Sequence, residues 1–489
     1  MRPRKPTTVA TVLAALCLAL VAAPSASASN TQVDFFEAPQ QLLEGNGYDA
    51  IVQLSSLGVR ALRIQLIWSE VAPQPNARKA PHVDLTDPAS YNWGRYSWLI
   101  QTAAQLKWQV LLTVTGSAPC WASGCAHAHI KHESYAQKLS ELVTNPSPYY
   151  YGKFMQAVGR EFGSYVKLYS VWNEPNQPQF LLPQYVGNNV RSALIYRKLF
   201  LKGYAGLRAS GNFAGMKVLM GETSPYGNRV ADIVAPLAFM RGALCLNGSY
   251  QKSSSCGRLP AAGYAQHPYD QKQGPYWVPP AYDGGRDDVT MASLGQLSHA
   301  LDRAAAAGAL APNLPIYITE YGVQSLPNHL LGVPVAQQAE YDAIAEHIAW
   351  NNPRVVSFDQ YLLSDDPDPG EGSFQTGLEY VQGQPKPLYN GYRLPLTVTV
   401  QGGSHVAFWG LVRPAGGNPT SVVLQYSSDN GNSWQQLLTA QTDSGGYWSA
   451  SGSFVAKRLW RVEWTAPGGS VYYGAPIRAY PPHSAKPAS

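Results

Sequence analysis

Short apolar segments alternate with longer segments of mixed apolar and polar residues over most of the chain. Apolar runs rich in β-branched residues are typical of buried strands, whereas apolar positions spaced three and four apart indicate amphipathic helices. The pattern predicts eight strands, at residues 33–36, 61–68, 110–114, 166–172, 217–221, 262–267, 316–320 and 355–363. It predicts helices between them, at residues 48–57, 96–106, 153–162, 192–209, 291–307 and 336–350.

The alternation of strands with helices determines the expected fold class. Gly58, Gly211 and Gly308 follow three of the helices, where glycine commonly ends a helix. Strands joined by crossover helices lie parallel, in a doubly wound sheet or in a closed barrel. Eight repeats over residues 30–395 favour the α/β fold of a (β/α)8 TIM barrel, whose usual size covers this length.

The pattern changes after Pro395. Seven short alternating runs follow, separated by turn residues such as Asn430-Gly431, and no helical spacing is present. The runs are residues 396–400, 406–412, 422–426, 434–438, 447–451, 458–464 and 471–473. They predict a small all-β sandwich of immunoglobulin or fibronectin type III size. The expected domains are therefore a barrel at 29–395 and a sandwich at 396–489.

The N-terminus has the three parts of a secretory signal peptide. Arg2, Arg4 and Lys5 are positive, residues 12–23 are apolar, and Ala-Ser-Ala at 26–28 is a small-residue cleavage site. A membrane anchor is the alternative, but the apolar stretch is shorter than a span of about 20 residues and Pro24 follows it. We therefore expect residues 1–28 to be removed and the mature protein to be secreted.

Composition narrows the range of partners. The formal charge of +5 falls to +2 with the signal peptide, because three of the 36 basic residues leave with it. Aromatic residues make up 11% of the chain and charged residues only 14%, which argues against disorder and nucleic-acid binding. No later apolar run reaches membrane-spanning length. We expect a secreted monomer with an uncharged partner, since Trp and Tyr rings stack well on sugar faces.

Four cysteines remain after export, and they allow three pairings. An oxidising compartment favours disulfides over free thiols. The local pairs Cys120–Cys125 and Cys245–Cys256 are preferred because each closes one short loop.

Two glutamates end predicted strands four and seven. Glu174 lies in Trp-Asn-Glu-Pro-Asn at residues 172–176, and Glu320 lies in Ile-Thr-Glu-Tyr-Gly at residues 318–322. Functional residues of such barrels lie at the carboxyl ends of the strands, so both side chains are expected in one mouth. Two facing carboxylic acids suit glycoside hydrolysis, in which one protonates the leaving oxygen and the other attacks or stabilises the anomeric carbon.

These two strings resemble the acid/base and nucleophile motifs of clan A retaining glycoside hydrolases, a cellulase-type TIM barrel, closest to families 39 and 5. The run at 63–75 with Tyr-Asn-Trp at 91–93 is similar to their second strand and following loop. Gly377-Leu378 and the segment 386–393 are similar to their usual barrel ending. The resemblance covers residues 45–395 and implies a secreted retaining O-glycosyl hydrolase with a carbohydrate substrate.

The resemblance also implies roles for individual residues. Glu174 would be the acid/base and Glu320 the nucleophile, while Asn173 would bind the 2-hydroxyl of the sugar. Tyr269, in a His-x-Tyr motif with His267, would orient Glu320, and His267 would tune the acid/base. The remaining supporting or substrate-binding candidates are Arg63, beside Glu320, and Trp68.

Strand eight departs from the family pattern. Many members have a Trp there, under the sugar at the cleavage point, whereas this chain has Phe-Asp-Gln-Tyr at residues 358–361. Tyr361 or Gln360 is expected to take that place. Glu222 also ends a strand, either as a substrate-binding acid or, as we prefer, as a structural hydrogen-bonding group.

Other clusters are given plainer interpretations. His127, His129 and His132 are expected to be a polar surface loop, so no metal site and no cofactor is predicted. The acidic run 365–371 is expected to be a loop at the edge of the mouth. Most tryptophans of the sandwich are expected in its core. The alternatives left open are a non-catalytic carbohydrate-binding protein and a transglycosidase, which differs from a hydrolase only in its acceptor.

Overall fold

The computed structural model describes residues 32–127, 135–253, 256–280, 285–368, 372–402, 404–415 and 417–480. The predicted signal peptide therefore lies outside the described residues. Among the helices that are described, none is both long enough and apolar enough to cross a membrane.

Eight parallel strands close into a barrel, which confirms the predicted fold. In order around the barrel, the strands are β1, β8, β7, β6, β5, β4, β3 and β2, numbered along the chain. Their bounds are Val33–Glu37 (β1), Ala61–Ile67 (β2), Gln109–Thr115 (β3), Leu168–Val171 (β4), Lys217–Thr223 (β5), Gly263–Gln266 (β6), Ile316–Ile318 (β7) and Val355–Tyr361 (β8). Each of the eight coincides with a predicted strand to within a few residues.

The helices of the chain surround this barrel. Their bounds are Gly47–Leu57 (α1), Trp68–Val71 (α2), Gly94–Gln105 (α3), Tyr135–Val143 (α4), Pro148–Phe162 (α5), Arg191–Ala209 (α6), Pro236–Ala243 (α7), Leu294–Ala306 (α8), Val335–Asn351 (α9) and Pro387–Arg393 (α10). Gly58, Gly211 and Gly308 all have positive φ just past the ends of α1, α6 and α8, as predicted for helix stops. The sequence pattern did not predict α2, α4, α7 or α10.

The barrel interior is layered, and this layering positions the mouth. An apolar layer is formed by one residue from each of six strands, namely Phe35, Ala61, Leu111, Leu219, Ala265 and Tyr317. Because side chains in a strand return to the same face every two residues, the next inward positions toward the carboxyl ends form a second layer. That second layer is polar, with Glu37, Arg63 and Thr113 following Phe35, Ala61 and Leu111.

The residues after α10 form two antiparallel sheets, and they confirm the predicted sandwich. One sheet has three strands, Leu396–Val400 (β9), His405–Leu411 (β10) and Tyr447–Ser453 (β13). The other has four, in the order Gln435–Gln441 (β12), Ser421–Ser427 (β11), Leu459–Thr465 (β14) and Val471–Tyr473 (β15). Trp448, Trp460 and Trp464 lie in the core between them. Trp409 is also buried, so core packing is the role of most sandwich tryptophans, as expected.

The sandwich packs on the barrel through buried polar groups. Arg413 donates from Nη2 to both carboxylate oxygens of Glu346, at 2.8 Å each, and its Nη1 contacts Asp34 on β1. The Tyr480 hydroxyl donates to Glu340 at 2.6 Å. Glu340 and Glu346 lie on α9, which the pattern predicted as an ordinary amphipathic helix. These glutamates are buried because the sandwich covers the face that would otherwise be exposed.

Two disulfides close short loops of the barrel, one in the segment that follows β3 and the other between α7 and β6. They join Cys120 to Cys125 and Cys245 to Cys256. Both are the local pairs that the sequence favoured.

Candidate active site

One buried arginine organises the mouth of the barrel. The Arg63 side chain has no solvent exposure, and its Nη1 contacts Glu37 and donates to Glu320 Oε2 at 2.8 Å. Its Nη2 donates to Asn173 Oδ1 at 2.7 Å and to Glu222 Oε2 at 3.2 Å. The four acceptors come from β1, β5 and the segments after β4 and β7. A single guanidinium thus ties together groups from five strands, which fixes their relative positions.

The two glutamates predicted from the motifs face each other at this mouth. Oxygens of Glu174 and Glu320, together with Nδ1 of His267, all lie within 4.8 Å of one another. His267 Nδ1 is 3.0 Å from Glu174 Oε1 and 3.7 Å from Glu320 Oε2. The two carboxylate side chains keep 12% and 7% of their exposure, so both can be reached from the mouth.

The backbone turns sharply where these strands end. Trp172, Glu174 and Glu222 have φ of 67°, 37° and 47°, in the left-handed region that side chains other than glycine seldom adopt. The Glu174 N–H donates to the Glu222 carbonyl at 2.9 Å, so one strained turn is anchored on the next strand. Strain of this kind persists only where surrounding contacts hold it, and it concentrates at functional sites.

Glu320 is surrounded by groups that stabilise its charged form. The Tyr269 hydroxyl donates to Oε1 at 2.9 Å, while Arg63 donates to Oε2. Burial raises the pKa of Glu320, and the Arg63 charge and the Tyr269 hydrogen bond oppose that rise. Each carboxylate oxygen of Glu320 therefore accepts one hydrogen bond, which fixes the orientation of the carboxylate.

Glu174 has the opposite surroundings. Burial, and then the charge of Glu320, raise its pKa well above 4.5. Its hydrogen-bonding neighbours are His267 and, at 3.4 Å, the Gln177 amide. Burial and the nearby Arg63 charge lower the pKa of His267 well below 6.5, so the imidazole is neutral and offers Glu174 no compensating charge. Burial and the neighbouring Glu320 carboxylate therefore favour the protonated form of Glu174.

The structure brings most of the predicted residues into one cluster. Arg63, Asn173, Glu222, His267 and Tyr269 all contact either Glu174 or Glu320 or share Arg63 with them. Glu222 is completely buried, where it pairs with Arg63 and accepts a hydrogen bond from Thr113 at 2.8 Å. Its contacts are therefore with other side chains of the barrel interior.

Trp68, a candidate for a supporting or substrate-binding role, packs away from the mouth. Trp68 begins α2 directly after β2, at a position that points to the helix layer, and it is fully buried. Its ring stacks on Phe154, with centroids 5.4 Å apart, and meets Trp121 edge-on at 5.9 Å. The residue is part of the core between the barrel and α5.

At the end of strand eight, the structure separates the two candidates. Gln360 is completely buried, and its amide donates to the carbonyls of Tyr361 and Thr376, at 3.0 Å each, so it cannot take the missing Trp position. Tyr361 is half-buried, and its ring packs edge-on against Phe374 with centroids 4.9 Å apart.

The sequence reasoning missed Phe374, which lies in the loop after β8. Its ring is 5.8 Å from that of Tyr269, the residue that orients Glu320. Asp366 clamps this loop, since its Oδ2 accepts from the Phe374 N–H at 2.7 Å and its own N–H donates to the Phe374 carbonyl at 2.9 Å. Asp366 belongs to the acidic run that was expected at the mouth edge. Nothing in that run indicated that an aromatic residue eight positions later packs against Tyr269.

Two further acids of the polar layer were also missed. Glu37 ends β1 and accepts hydrogen bonds from Arg63 and from Gln65. Asp359, on β8, is completely buried, and neither of its carboxyl oxygens has a hydrogen-bond partner among the described residues. Burial raises the pKa of Asp359 well above 3.8, which favours its protonated form. Glu37 could have been predicted, because an acidic residue directly follows the predicted strand at 33–36.

The histidine loop is only partly described. His127 is exposed at the end of a short helical turn, and His129 and His132 lie outside the described residues. The ligand cluster found among the described residues is the one at Glu174, His267 and Glu320.

Comparisons with known proteins find similarity at the level of the fold. No protein-family model matches the chain, and no curated protein matches it in sequence. A solved glucosidase from Croceicoccus marinus is 10% identical over 84% of this chain and 90% of its own, with a TM-score of 0.49. A β-glucosidase from Thermotoga maritima is 12% identical over 74% of this chain and 96% of its own, with a TM-score of 0.44.

A GH113 β-1,4-mannanase is 11% identical over 75% of this chain and 97% of its own, with a TM-score of 0.38. These likenesses are too distant to carry a conclusion about activity. The function has to follow from the geometry and charge of the site.

Proposed function

We propose that this protein is a secreted retaining O-glycoside hydrolase that acts by double displacement. Glu320 is the nucleophile and Glu174 the general acid/base. The observation that carries the proposal is a close pair of carboxyl groups with opposite surroundings, one held by donors and a cation and the other without a cation. The catalytic domain is residues 29–395, and residues 396–489 are a sandwich that packs on it.

The spacing of the pair supports retention of configuration. Retaining glycosidases have carboxyl groups about 5–5.5 Å apart, whereas inverting enzymes need about 6.5–9.5 Å to admit a water molecule. Oxygens of Glu174 and Glu320 lie within 4.8 Å. This distance suits direct attack by one carboxylate while the other protonates the leaving group.

The first step forms a covalent intermediate. Glu320 attacks the anomeric carbon with one carboxylate oxygen as the bond to the leaving oxygen breaks, and Glu174 gives its proton to that oxygen. Glu174, now a carboxylate, then takes a proton from water, and the water oxygen attacks the anomeric carbon and displaces Glu320. Two inversions at one carbon leave the original configuration.

Neighbouring side chains are arranged to bind the sugar. Arg63 donates a hydrogen bond to Asn173 Oδ1. The N–H groups of the same amide can then donate to a sugar hydroxyl. Tyr361 and Phe374 form an aromatic corner beside Tyr269 that can pack on a sugar ring. The substrate we propose is a neutral poly- or oligosaccharide or a simple glycoside, without a cofactor. Two disulfides fit an oxidising, extracellular location.

Product stereochemistry tests the proposal directly. A panel of glycans and aryl glycosides is incubated with the protein, and ¹H NMR follows the first-formed anomer. Retention is expected, and a first product of inverted configuration would refute the double-displacement mechanism. New glycosides formed with an added sugar acceptor would identify transfer in place of hydrolysis.

Isosteric variants assign the two roles. Glu320→Gln is expected to abolish turnover of all substrates. Glu174→Gln is expected to abolish turnover of natural glycosides while sparing formation of the intermediate from substrates with activated leaving groups. Glu70→Gln, a half-buried carboxylate that pairs with Arg95, is the matched control and is expected to retain activity. Sugar binding that survives both catalytic substitutions, with no turnover in the parent protein, would indicate a non-catalytic binding protein.

A further inference from the structure

We propose that the Glu174, His267 and Glu320 side chains form a binding site for Zn²⁺, which enters the mouth as a reversible inhibitor. The metal-binding part of the proposal stands on geometry alone, and only the inhibition rests on the proposed function. The three ligand atoms lie within 4.8 Å of one another and come from the ends of three different strands.

The distances match a zinc site after small side-chain movements. Zinc binds imidazole nitrogen at about 2.0–2.1 Å and carboxylate oxygen at about 2.0–2.2 Å, so tetrahedral ligands lie about 3.3–3.6 Å apart. His267 Nδ1 is 3.0 Å from one carboxylate oxygen and 3.7 Å from the other. Shifts below about 1 Å in two flexible glutamate side chains would complete three ligands.

The charges of the site favour an added cation. Arg63 already contacts three carboxylates, those of Glu37, Glu222 and Glu320. Within the described part of the chain, Glu174 contacts no lysine or arginine. One arginine faces the three carboxylates that it contacts, which favours an added cation. Zinc binding would displace the proton of Glu174, because a metal ligand must be deprotonated.

The ligand set selects the type of metal. One imidazole and two carboxylates suit zinc and its transition-metal neighbours, whereas Mg²⁺ and Ca²⁺ require more oxygen ligands. Three protein ligands leave a fourth position for water on the side of the mouth. His267 Nε2 has no partner among the described residues, so the outer hydrogen bond that usually supports a zinc-bound histidine is missing. The affinity for zinc should therefore be lower than at a permanently occupied zinc site, so that binding is reversible.

Calorimetric titration of the full chain with ZnCl₂ in a non-coordinating buffer tests the site. One zinc ion per chain is expected, and MgCl₂ should give no binding heat. His267→Gln and Glu174→Gln each remove a ligand, so each should weaken zinc binding by more than the roughly 10–100-fold that loss of an outer-shell partner causes. The control replaces His127, His129 and His132 together by Gln, and it should leave the affinity unchanged.

Several results would overturn the inference. These are undiminished zinc binding in His267→Gln, loss of binding in the histidine-loop control, or activation of the protein by zinc. Inhibition kinetics with an aryl glycoside should show competition between zinc and substrate. Because calorimetry needs no turnover, an inactive protein that binds zinc would refute the glycosidase and keep the metal site. An active glycosidase that binds no zinc would refute the metal site and keep the proposed function.

Discussion

The hydrogen bond from Tyr269 to the proposed nucleophile offers the sharpest quantitative test of the site. The substitution Tyr269→Phe removes the donor that lies 2.9 Å from Glu320 Oε1 and leaves the Arg63 contact in place. A hydrogen bond to a charged group contributes about 1.5–3 kcal/mol. At 1.36 kcal/mol per pKa unit, its loss should raise the pKa of Glu320 by about one to two units.

The direction of the effect follows from the active form of Glu320. The nucleophile must be ionised, and a higher pKa means that it gains its proton at a higher pH. The acidic limb of the profile of kcat/KM against pH should therefore move up by about one to two pH units. Below both pKa values, the ionised fraction of Glu320 and the activity should fall by about 10–100-fold.

The assay is initial-rate hydrolysis of an aryl glycoside across the pH range, with the same substrate for both proteins. Tyr321→Phe is the matched control, because the Tyr321 ring lies 6.0 Å from that of Tyr269 but its hydroxyl donates to Asp270. The control should leave the acidic limb where it is in the parent protein. An unmoved limb in Tyr269→Phe, with kcat/KM within about twofold of the parent, would show that the tyrosine does not control Glu320.

Three further predictions follow from other contacts of the structure. The alkaline limb of kcat/KM should lie well above pH 4.5, because it reports loss of the Glu174 proton, and it should be absent from the residual activity of Glu174→Gln on activated substrates. Phe374→Ala should lower kcat/KM by about 10–150-fold, whereas Phe374→Tyr should keep it, since burying an aromatic ring contributes about 1.5–3 kcal/mol. Equal rates for the two variants would exclude a sugar contact. Arg413→Met should lose about 3–5 kcal/mol of stability in urea unfolding, because it leaves the buried carboxylates of Glu346 and Asp34 unpaired. An unchanged unfolding midpoint would show that the sandwich contributes nothing through this contact.

The strands and most of the longer helices could be predicted because each depends on a short, local pattern of residues. Each barrel strand is a short apolar run, and each predicted helix stop is a glycine whose positive φ suits a helix end. Glu174 and Glu320 could be found because both follow such runs in recognisable strings. The helices α4 and α7 were missed because they lie in long segments between strands, where proximity to disulfides suggested irregular loops.

Contacts between distant segments could not be read in the same way. The burial of Trp68 depends on Phe154, which is 86 positions away, and its place after a strand looked the same as that of a mouth residue. Phe374 reaches the Tyr269 ring through a loop whose path is set by hydrogen bonds with Asp366. The acids of α9 are buried only because the sandwich packs over them.

The sequence by itself therefore determined the order of strands and helices, the barrel, the sandwich and the two glutamates. These properties depend on side-chain periodicity and on where polar residues interrupt it, which are local in the chain. The tertiary structure decided the charge of each group at the mouth. Arg63 donates to Glu320, whereas burial favours the protonated form of Glu174 and the neutral form of His267. Electrostatic energy depends on distance and solvent exposure in three dimensions, and no spacing along the chain contains either quantity.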